Sequence, residues 1–166
     1  EKMDSVDAQW KDSMDDYNVM LVTIGRSSTE NGTYLPGVDG VDASQNLNQT
    51  DPLGLSDDER DLINAAVEEK ENNGGKVIVM LNNANAMEID EIKNNDGVDA
   101  IMEVGLPGGY GFYGVADILS GEANPSGHLT DTYAVTNANS PAAQNFGNYE
   151  WTNADPSVNI NAEEVE

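Results

Sequence analysis

The 166-residue sequence contains no cysteine and only one histidine, His128. The lack of cysteine excludes disulfides, thiolate zinc sites and thiol nucleophiles. A single histidine excludes a multi-histidine metal site and disfavours a Ser-His-Asp triad. Neither thiol chemistry nor a multi-histidine metal centre is therefore expected of this chain.

Basic residues are also scarce, with 7 Lys and Arg against 31 Asp and Glu and a formal net charge of −24. A field of that sign repels phosphate backbones and anionic lipids, so we expect neither nucleic acid nor a membrane as a partner. The acidic residues are typical of a solvated surface that keeps a protein dispersed. A dedicated calcium loop is not favoured, because Asn94–Asp99 and Val38–Asp42 lack the EF-hand ligand spacing.

Long apolar runs are missing as well. The longest, Val19–Ile24, is far shorter than the ~20 residues that a membrane-spanning helix needs. A hydrophobic content of 38% and a mean hydropathy of −0.52 are typical of a soluble globular protein. The chain opens on Glu1, Lys2 and Met3 and then on acidic residues, a pattern that does not predict a signal peptide. The sequence therefore predicts one soluble domain and assigns no cellular compartment.

Strand-like and helix-like segments alternate along the chain. Nearly continuous apolar runs predict strands buried on both faces at 18–24, 76–81 and 98–104, and a fourth strand is predicted at 129–135. Helices are predicted over about 4–15, after the capping box Ser56–Glu59, from 85–88 onward with Met87, Ile89 and Ile92 facing inward, and over 111–119. This alternation predicts an α/β fold: a three-layer open sandwich with a mostly parallel sheet, helices on both faces and flavodoxin-like or Rossmann-like topology.

Three segments follow the carboxyl ends of predicted strands, at 26–55, 82–85 and 106–111. Parallel strands bring such segments to one edge of the sheet, where open α/β sheets bind their ligands. The first segment is long, polar and without periodicity, which is typical of a functional loop. A nucleotide-binding flavodoxin-like domain is the alternative, but 105–111 lacks both the Lys-Ser/Thr of a P-loop and the full dinucleotide fingerprint.

An ordered set of short motifs runs through the chain: Lys76–Asn82; Asn85 with Met87 and Glu88; Gly97–Ile101; Pro107–Gly108; Val115–Leu119 with Gly121; and Asn124–Gly127 with Leu129. Together these motifs resemble the second, α/β sandwich domain of family-3 glycoside hydrolases, the β-glucosidase family. The resemblance covers about 18–147. It implies a sandwich domain at 1–150 and a polar tail at 151–166, in a chain expected to be a truncated piece. The sequence departs from the family pattern at Gly109–Phe112, His128 and Thr130.

The resemblance implies a role in a retaining glycosidase. In this family a separate TIM barrel supplies an Asp nucleophile and this domain supplies the acid/base Glu; retaining enzymes hold the two carboxyl groups ~5–5.5 Å apart. Glu30 matches the acid/base position, because it lies four residues after Arg26 at the end of the first strand. Other candidates in the same segment are Asp39, Asp42 and Asp51, and the alternative is that Glu30 is one of many surface carboxylates.

The resemblance also implies partners and substrate contacts. The expected partners are the N-terminal TIM barrel of the same protein and a β-linked glycoside, and no cofactor or metal is implied. Association into a homo-oligomer through an exposed apolar patch is a further expectation. Arg26, Tyr34 and Tyr110 are the candidate substrate-binding residues.

Three other residues near the predicted ligand-binding edge of the sheet are expected to have structural roles. Phe112 is predicted to face the core, and His128 and Asp117 are predicted to be structural.

The isolated chain is expected to be inactive, because the nucleophile lies on the absent barrel. The rival hypothesis is a non-catalytic carbohydrate-binding or scaffold domain of the same family.

Overall fold

The computed structural model describes residues 17–26 and 53–141. Three strands, three helices and one 3₁₀ turn occur in these two ranges. In chain order they are β1 (Val19–Gly25), α1 (Asp57–Asn73), β2 (Lys76–Asn82), α2 (Asp90–Lys93), β3 (Ala100–Glu103), α3 (Gly108–Ser120) and the 3₁₀ turn Asn137–Asn139. The predicted helix at 4–15 and the predicted tail at 151–166 lie outside the described residues.

The three strands form one parallel sheet in the order β1-β2-β3. The register of β1 on β2 runs from Val19 opposite Lys76 to Gly25 opposite Asn82. Helix α1 lies between β1 and β2 along the chain, and α2 lies between β2 and β3, in the crossover connections that parallel pairing requires. The predicted α/β fold with a parallel sheet is confirmed.

The first helix begins at the predicted capping box. The Ser56 hydroxyl accepts a hydrogen bond from the Glu59 amide at 3.2 Å, and the Glu59 carboxylate accepts one from the Ser56 amide at 2.8 Å. These contacts satisfy two amides that a helix start leaves without partners. The helix packs against β1 and β2 through a face that includes Ile63 and Ala66, both buried.

The hydrophobic core lies between the sheet and the helices α1 and α2. Residues of α1 and α2 join one cluster with the sheet, which is the arrangement that right-handed crossovers in strand order are expected to give. The buried members of this core are Met20, Val22, Ile24, Leu55, Ile63, Ala66, Val77, Val79, Leu81, Met87 and Ile92. The predicted inward orientation of Met87 and Ile92 is confirmed, and Ile89 packs partly buried against them.

Burial alternates along β1, so this strand is buried on one face only. Met20, Val22 and Ile24 are buried, whereas Val19 and Leu21 are 42% and 47% exposed. The prediction that this strand is buried on both faces is therefore wrong for the described structure. The physical reason is that, among the described residues, α1 packs on the face of β1 that contains Met20, Val22 and Ile24, and no described helix packs on the other face.

Two further predictions are wrong. The segment 129–135 is not a strand, and both Leu129 and Val135 are more than half exposed. Its alternating pattern suits a strand, but a strand also needs a neighbouring ladder, and the three described strands pair only with one another. Phe112 does not face the core either, because it is 43% exposed on α3, a helix without a buried residue.

The described ranges contain neither a membrane-spanning helix nor a cluster of metal-binding side chains. Among residues 17–26 and 53–141, no helix is long and apolar enough to cross a membrane. The same residues contain no group of three or more His, Asp or Glu side chains that could hold a metal ion.

The turn before β3 depends on a glycine that packs against α1. A Cβ atom built on Gly97 would overlap the Val67 side chain. We expect Gly97→Ala to lower the free energy of unfolding by about 1–3 kcal/mol, because overpacking forces neighbours to shift. Urea denaturation followed by circular dichroism measures this loss. In a Val67→Ala background, Gly97→Ala should cost less than it does in the parent, because the overlapping methyl groups are gone, and a simple sum of the two losses would contradict the predicted overlap.

Asp99 links three elements at the amino edge of the sheet. Its carboxylate accepts hydrogen bonds from Lys70 Nζ at 2.7 Å, Lys76 Nζ at 2.8 Å and the Val77 amide at 2.9 Å. These bonds, led by the one from Lys70, hold the pKa of Asp99 well below its usual range. The folded state therefore prefers the ionised carboxyl more strongly than the unfolded chain does.

The stabilisation from Asp99 should be fully present at neutral pH and should fade as the solution is acidified. The unfolded carboxyl has a pKa of about 3.9, so the effect begins to decline near that pH and is lost through the lower folded pKa. Asp99→Asn is expected to lower the free energy of unfolding at pH 7, and the difference from the parent should narrow below about pH 4. Asp96→Asn, at an exposed position, is the control. A difference in free energy of unfolding between Asp99→Asn and the parent that stays constant down to pH 2 would contradict the prediction.

Candidate functional site

The carboxyl ends of the three strands meet at one edge of the sheet, as predicted. The Arg26 amide, directly after β1, donates to the Asn82 carbonyl oxygen at 3.1 Å. The Asn82 side-chain amide donates to the Gly105 carbonyl oxygen at 2.5 Å. These two bonds join the turns that follow β1, β2 and β3. We call this the carboxyl edge, and it is the place where open α/β sheets bind ligands.

Arg26 is buried at the carboxyl edge in an ion pair with Glu59. Its Nε donates to Glu59 Oε1 at 3.1 Å and its Nη2 donates to Glu59 Oε2 at 2.5 Å. The two side chains are 5% and 17% exposed. Such two-point pairing is the strong, directional form of an arginine–carboxylate contact. The prediction that Arg26 contacts substrate is not tested by these contacts.

The turn after β2 contains a buried asparagine. Asn83 is 2% exposed; its side-chain amide donates to Met87 Sδ at 3.2 Å, and its carbonyl oxygen accepts from the Asn85 amide at 3.1 Å. A few residues on, the Glu88 amide donates to the Leu53 carbonyl oxygen at 2.8 Å. The chain just after this turn is therefore hydrogen-bonded to Leu53, the first described residue after the 27–52 segment.

The turn after β3 is held by Glu103. Its carboxylate accepts from the Gly105 amide and from the Tyr133 hydroxyl, each at 2.8 Å. Burial, together with the neighbouring Glu103 carboxylate, raises the pKa of Tyr133 well above its usual value. Tyr133 therefore remains a protonated donor throughout the physiological range. It ties the irregular segment after α3 to the end of β3.

Two features of this edge were missed by sequence reasoning. The Glu59 carboxylate was recognised as a helix cap but not as the partner of Arg26, and the Glu103–Tyr133 contact was not foreseen. A signal existed for the first, since an arginine at the end of a buried strand in a sequence with few basic residues needs an acidic partner. The second joins residues 30 positions apart and has no local signal.

The structure describes some of the predicted site residues, whereas others lie outside its described ranges. Tyr110 is 89% exposed, and its ring centroid lies 6.5 Å from that of Tyr113 at an interplanar angle of 35°. His128 and Asp117 are both exposed. The remaining candidates lie outside the described residues: Glu30, Tyr34, Asp39, Asp42 and Asp51.

The three parallel strands and their helices define an α/β domain with an open sheet. The sequence model described as the glycosyl hydrolase family 3 C-terminal domain matches residues 4–162. The chain therefore belongs to that family, and the resemblance seen in its motifs is confirmed. No solved structure matches it.

Individual relatives are glycosidases by name. The chain is 29% identical over 136 residues to "Thermostable beta-glucosidase B" of Acetivibrio thermocellus, covering 81% of this chain and 17% of that protein. It is 29% identical over 128 residues to "Probable beta-glucosidase F" of Emericella nidulans, covering 77% and 14%. It is 37% identical over 59 residues to "Beta-xylosidase/alpha-L-arabinofuranosidase 1" of Medicago sativa subsp. varia, covering 36% and 8%. The matched region thus spans less than a fifth of these curated relatives.

Proposed function

We propose that this chain is the second domain of a retaining, β-glucosidase-like glycoside hydrolase and that Glu30 supplies the acid/base carboxyl. One observation carries the proposal. The segment that contains Glu30 leaves the sheet at Arg26 and returns at Leu53–Gly54, and both points lie at the carboxyl edge. The family membership and the names of the relatives give the reaction class.

The chemistry needs two carboxyl groups on opposite sides of the glycosidic bond. One attacks the sugar and the other protonates the leaving oxygen, and then activates water in the second step. We assign the nucleophile to a TIM barrel of the same protein. The short coverage of the relatives supports this, since most of their length lies outside the matched region. The substrate is a β-linked glucoside or a related glycoside.

Substrate contacts are proposed for Tyr110, Tyr34 and Arg26. The exposed face of Tyr110 at the start of α3 is available to stack against a sugar ring. Arg26 belongs to the same edge, although its guanidinium is buried against Glu59.

The proposal is tested by replacing Glu30 with alanine in the full-length protein. Hydrolysis of glycosides with good and poor leaving groups is then measured with and without azide. The isolated chain is the companion sample, and it should hydrolyse no aryl β-glucoside because the proposed nucleophile belongs to the barrel. Turnover by the isolated chain at a modest fraction of the full-length rate would contradict the division of the site between domains.

A non-catalytic carbohydrate-binding or scaffold role is the second candidate. The observation that favours it is the exposed pair of Tyr110 and Tyr113, because sugar-binding surfaces often present aromatic rings. A protein in which Glu30→Ala leaves turnover unchanged, but Tyr110→Ala weakens glycoside binding, would support this candidate.

A homo-oligomer is proposed through the exposed face of β1. Val19 and Leu21 present an apolar surface there. The net charge of −24 opposes association at long range but is screened by salt.

A further inference from the structure

The turn between β3 and α3 is clamped at Gly105. Its amide donates to the Glu103 carboxylate at 2.8 Å and to the Leu81 carbonyl oxygen at 3.3 Å. Its carbonyl oxygen accepts from the Asn82 side-chain amide at 2.5 Å. Both backbone polar groups of Gly105 are therefore bonded to the ends of β2 and β3, and a rotation of this residue would break bonds to two strands.

The Glu103 carboxylate is itself held from a second side. The Tyr133 hydroxyl donates to Glu103 Oε2 at 2.8 Å, while the Gly105 amide donates to Oε1. Hydrogen bonds to a carboxylate are shorter and stronger than those between neutral groups. The two bonds together fix the orientation of the carboxylate, so the acceptor of the Gly105 amide stays in place.

The clamped turn leads into a helix that packing holds only weakly. No residue of α3 is buried, and Tyr110 and Tyr113 near its start are 89% and 71% exposed. The longer helix α1, by contrast, places Ile63 and Ala66 in the core. Because most helices are held by burial of an apolar face, the direction of α3 depends on the backbone at its start.

The backbone angle at Gly105 is set by the clamp rather than by the residue itself. Gly105 has a φ of 63°, but glycine adopts negative φ about as readily. Its hydrogen bonds therefore select the observed angle. Just downstream the chain is stiffer, because the ring of Pro107 restricts its φ and the Gly111 amide donates to the Pro107 carbonyl oxygen at 3.2 Å. A change of angle at Gly105 would be passed on to the whole first turn of α3.

We propose that Glu103 and Asn82 are positioning residues, which fix the orientation of the exposed Tyr110 ring as a sugar-stacking surface by holding Gly105 at the base of α3. This role rests on the proposed function, in which Tyr110 contacts the glycoside. Stacking needs the face of the ring against the face of the sugar. A ring that is oriented before binding loses less freedom when the sugar arrives, so loosening the clamp weakens binding.

The test uses Glu103→Ala and Asn82→Asp in the full-length protein. Each change removes one bond to Gly105, since Asn82→Asp replaces a donor by an acceptor of nearly the same shape. Glu103→Gln is the conservative variant, because it keeps an oxygen for the Gly105 amide. Glu122→Ala, at an exposed position just after α3, is the control. The ligand is an S-linked β-glucose disaccharide, which resists hydrolysis, and calorimetry measures its Kd.

Tyr110→Ala is expected to weaken binding of this disaccharide roughly 10-fold, and each clamp variant roughly 3- to 10-fold. Glu103→Gln should retain most of the affinity, and Glu122→Ala should stay within about twofold of the parent. In a Tyr110→Ala background, Glu103→Ala should add almost no further loss, because the ring that it positions is already gone. In steady-state hydrolysis of an aryl β-glucoside, the clamp variants should raise KM more than they lower kcat.

The outcomes separate a failure of the positioning role from a failure of the substrate contact. Unchanged Kd in folded Glu103→Ala and Asn82→Asp, or full multiplication of the Glu103→Ala and Tyr110→Ala losses, would overturn the positioning role alone. Unchanged Kd in Tyr110→Ala would overturn the proposed substrate contact and the positioning role with it. Thermal melts identify a variant that does not fold, and Asn82→Asp then supplies the readout in place of Glu103→Ala.

Discussion

Glu30→Ala in the full-length protein is expected to lower kcat/KM by roughly 10²- to 10⁴-fold for glycosides with poor leaving groups. The physical reason is that an alkoxide or phenoxide leaving group must be protonated as the glycosidic bond breaks. A dinitrophenolate leaves without a proton, so its release should be affected far less. Steady-state kinetics on a series of aryl glycosides of decreasing leaving-group pKa measures the difference as a slope.

Azide distinguishes an acid/base from a carboxylate that acts only on structure. Once the glycosyl-enzyme has formed, the second step needs a base to activate water, and Glu30→Ala removes that base. Azide needs no deprotonation, so it should restore turnover of the dinitrophenyl glycoside and yield a glycosyl azide. A variant that is slow on every substrate and gains nothing from azide would contradict the acid/base role of Glu30.

Two kinds of control belong to this experiment. Glu71→Ala, on an exposed position of α1, should leave all rates within about twofold of the parent. Asp39, Asp42 and Asp51 are the other candidates, each replaced by alanine in turn. If one of these variants shows the leaving-group and azide signature and Glu30→Ala does not, then the acid lies elsewhere in the same segment.

Local patterns were sufficient to predict most of the fold. The apolar runs of β1 and β2 and the capping box at Ser56 are short-range signals, and the structure places elements at each of them. The predicted strand at 129–135 failed for the opposite reason. Its residues alternate as a strand does, but strand formation depends on a partner ladder, which a local pattern does not contain.

The burial of β1 likewise shows what a local sequence pattern does not contain. A run of six apolar or β-branched residues from Val19 to Ile24 indicates a strand, but not how many of its faces are covered. Coverage depends on which other elements pack on the sheet, and α1 packs on one face.

The site was predictable to a smaller extent than the fold. The position of the carboxyl edge followed from the order of strands and helices, and the identity of the candidate acid followed from the family resemblance rather than from any local rule. The contacts that shape the edge, Arg26 with Glu59 and Glu103 with Tyr133, join residues at least 30 positions apart. Sequence periodicity contains no information on such pairs, because their geometry is set by how the layers pack.

The one-sided burial of β1 leads to a second large effect, on stability. Ile24 is 1% exposed and belongs to the core, so Ile24→Ala is expected to lower the free energy of unfolding by about 2–5 kcal/mol. Leu21 is 47% exposed on the opposite face, so Leu21→Ala should cost no more than about 1 kcal/mol. Urea denaturation of the purified protein, with fluorescence and circular dichroism as separate probes, measures both values.

Equal costs at the two positions would contradict one-sided burial and would mean that something covers the Leu21 face. The dependence of the cost of Leu21→Ala on protein concentration then shows what covers the Leu21 face. If a second copy of the chain covers it, the cost of Leu21→Ala should grow with concentration and with salt, because screening of the net charge of −24 favours association. If the predicted amphipathic segment at 4–15 covers it, the cost should not depend on concentration. In that case Leu21→Ala should also red-shift the emission of Trp10 in a Trp151→Phe background, where Trp10 is the only tryptophan.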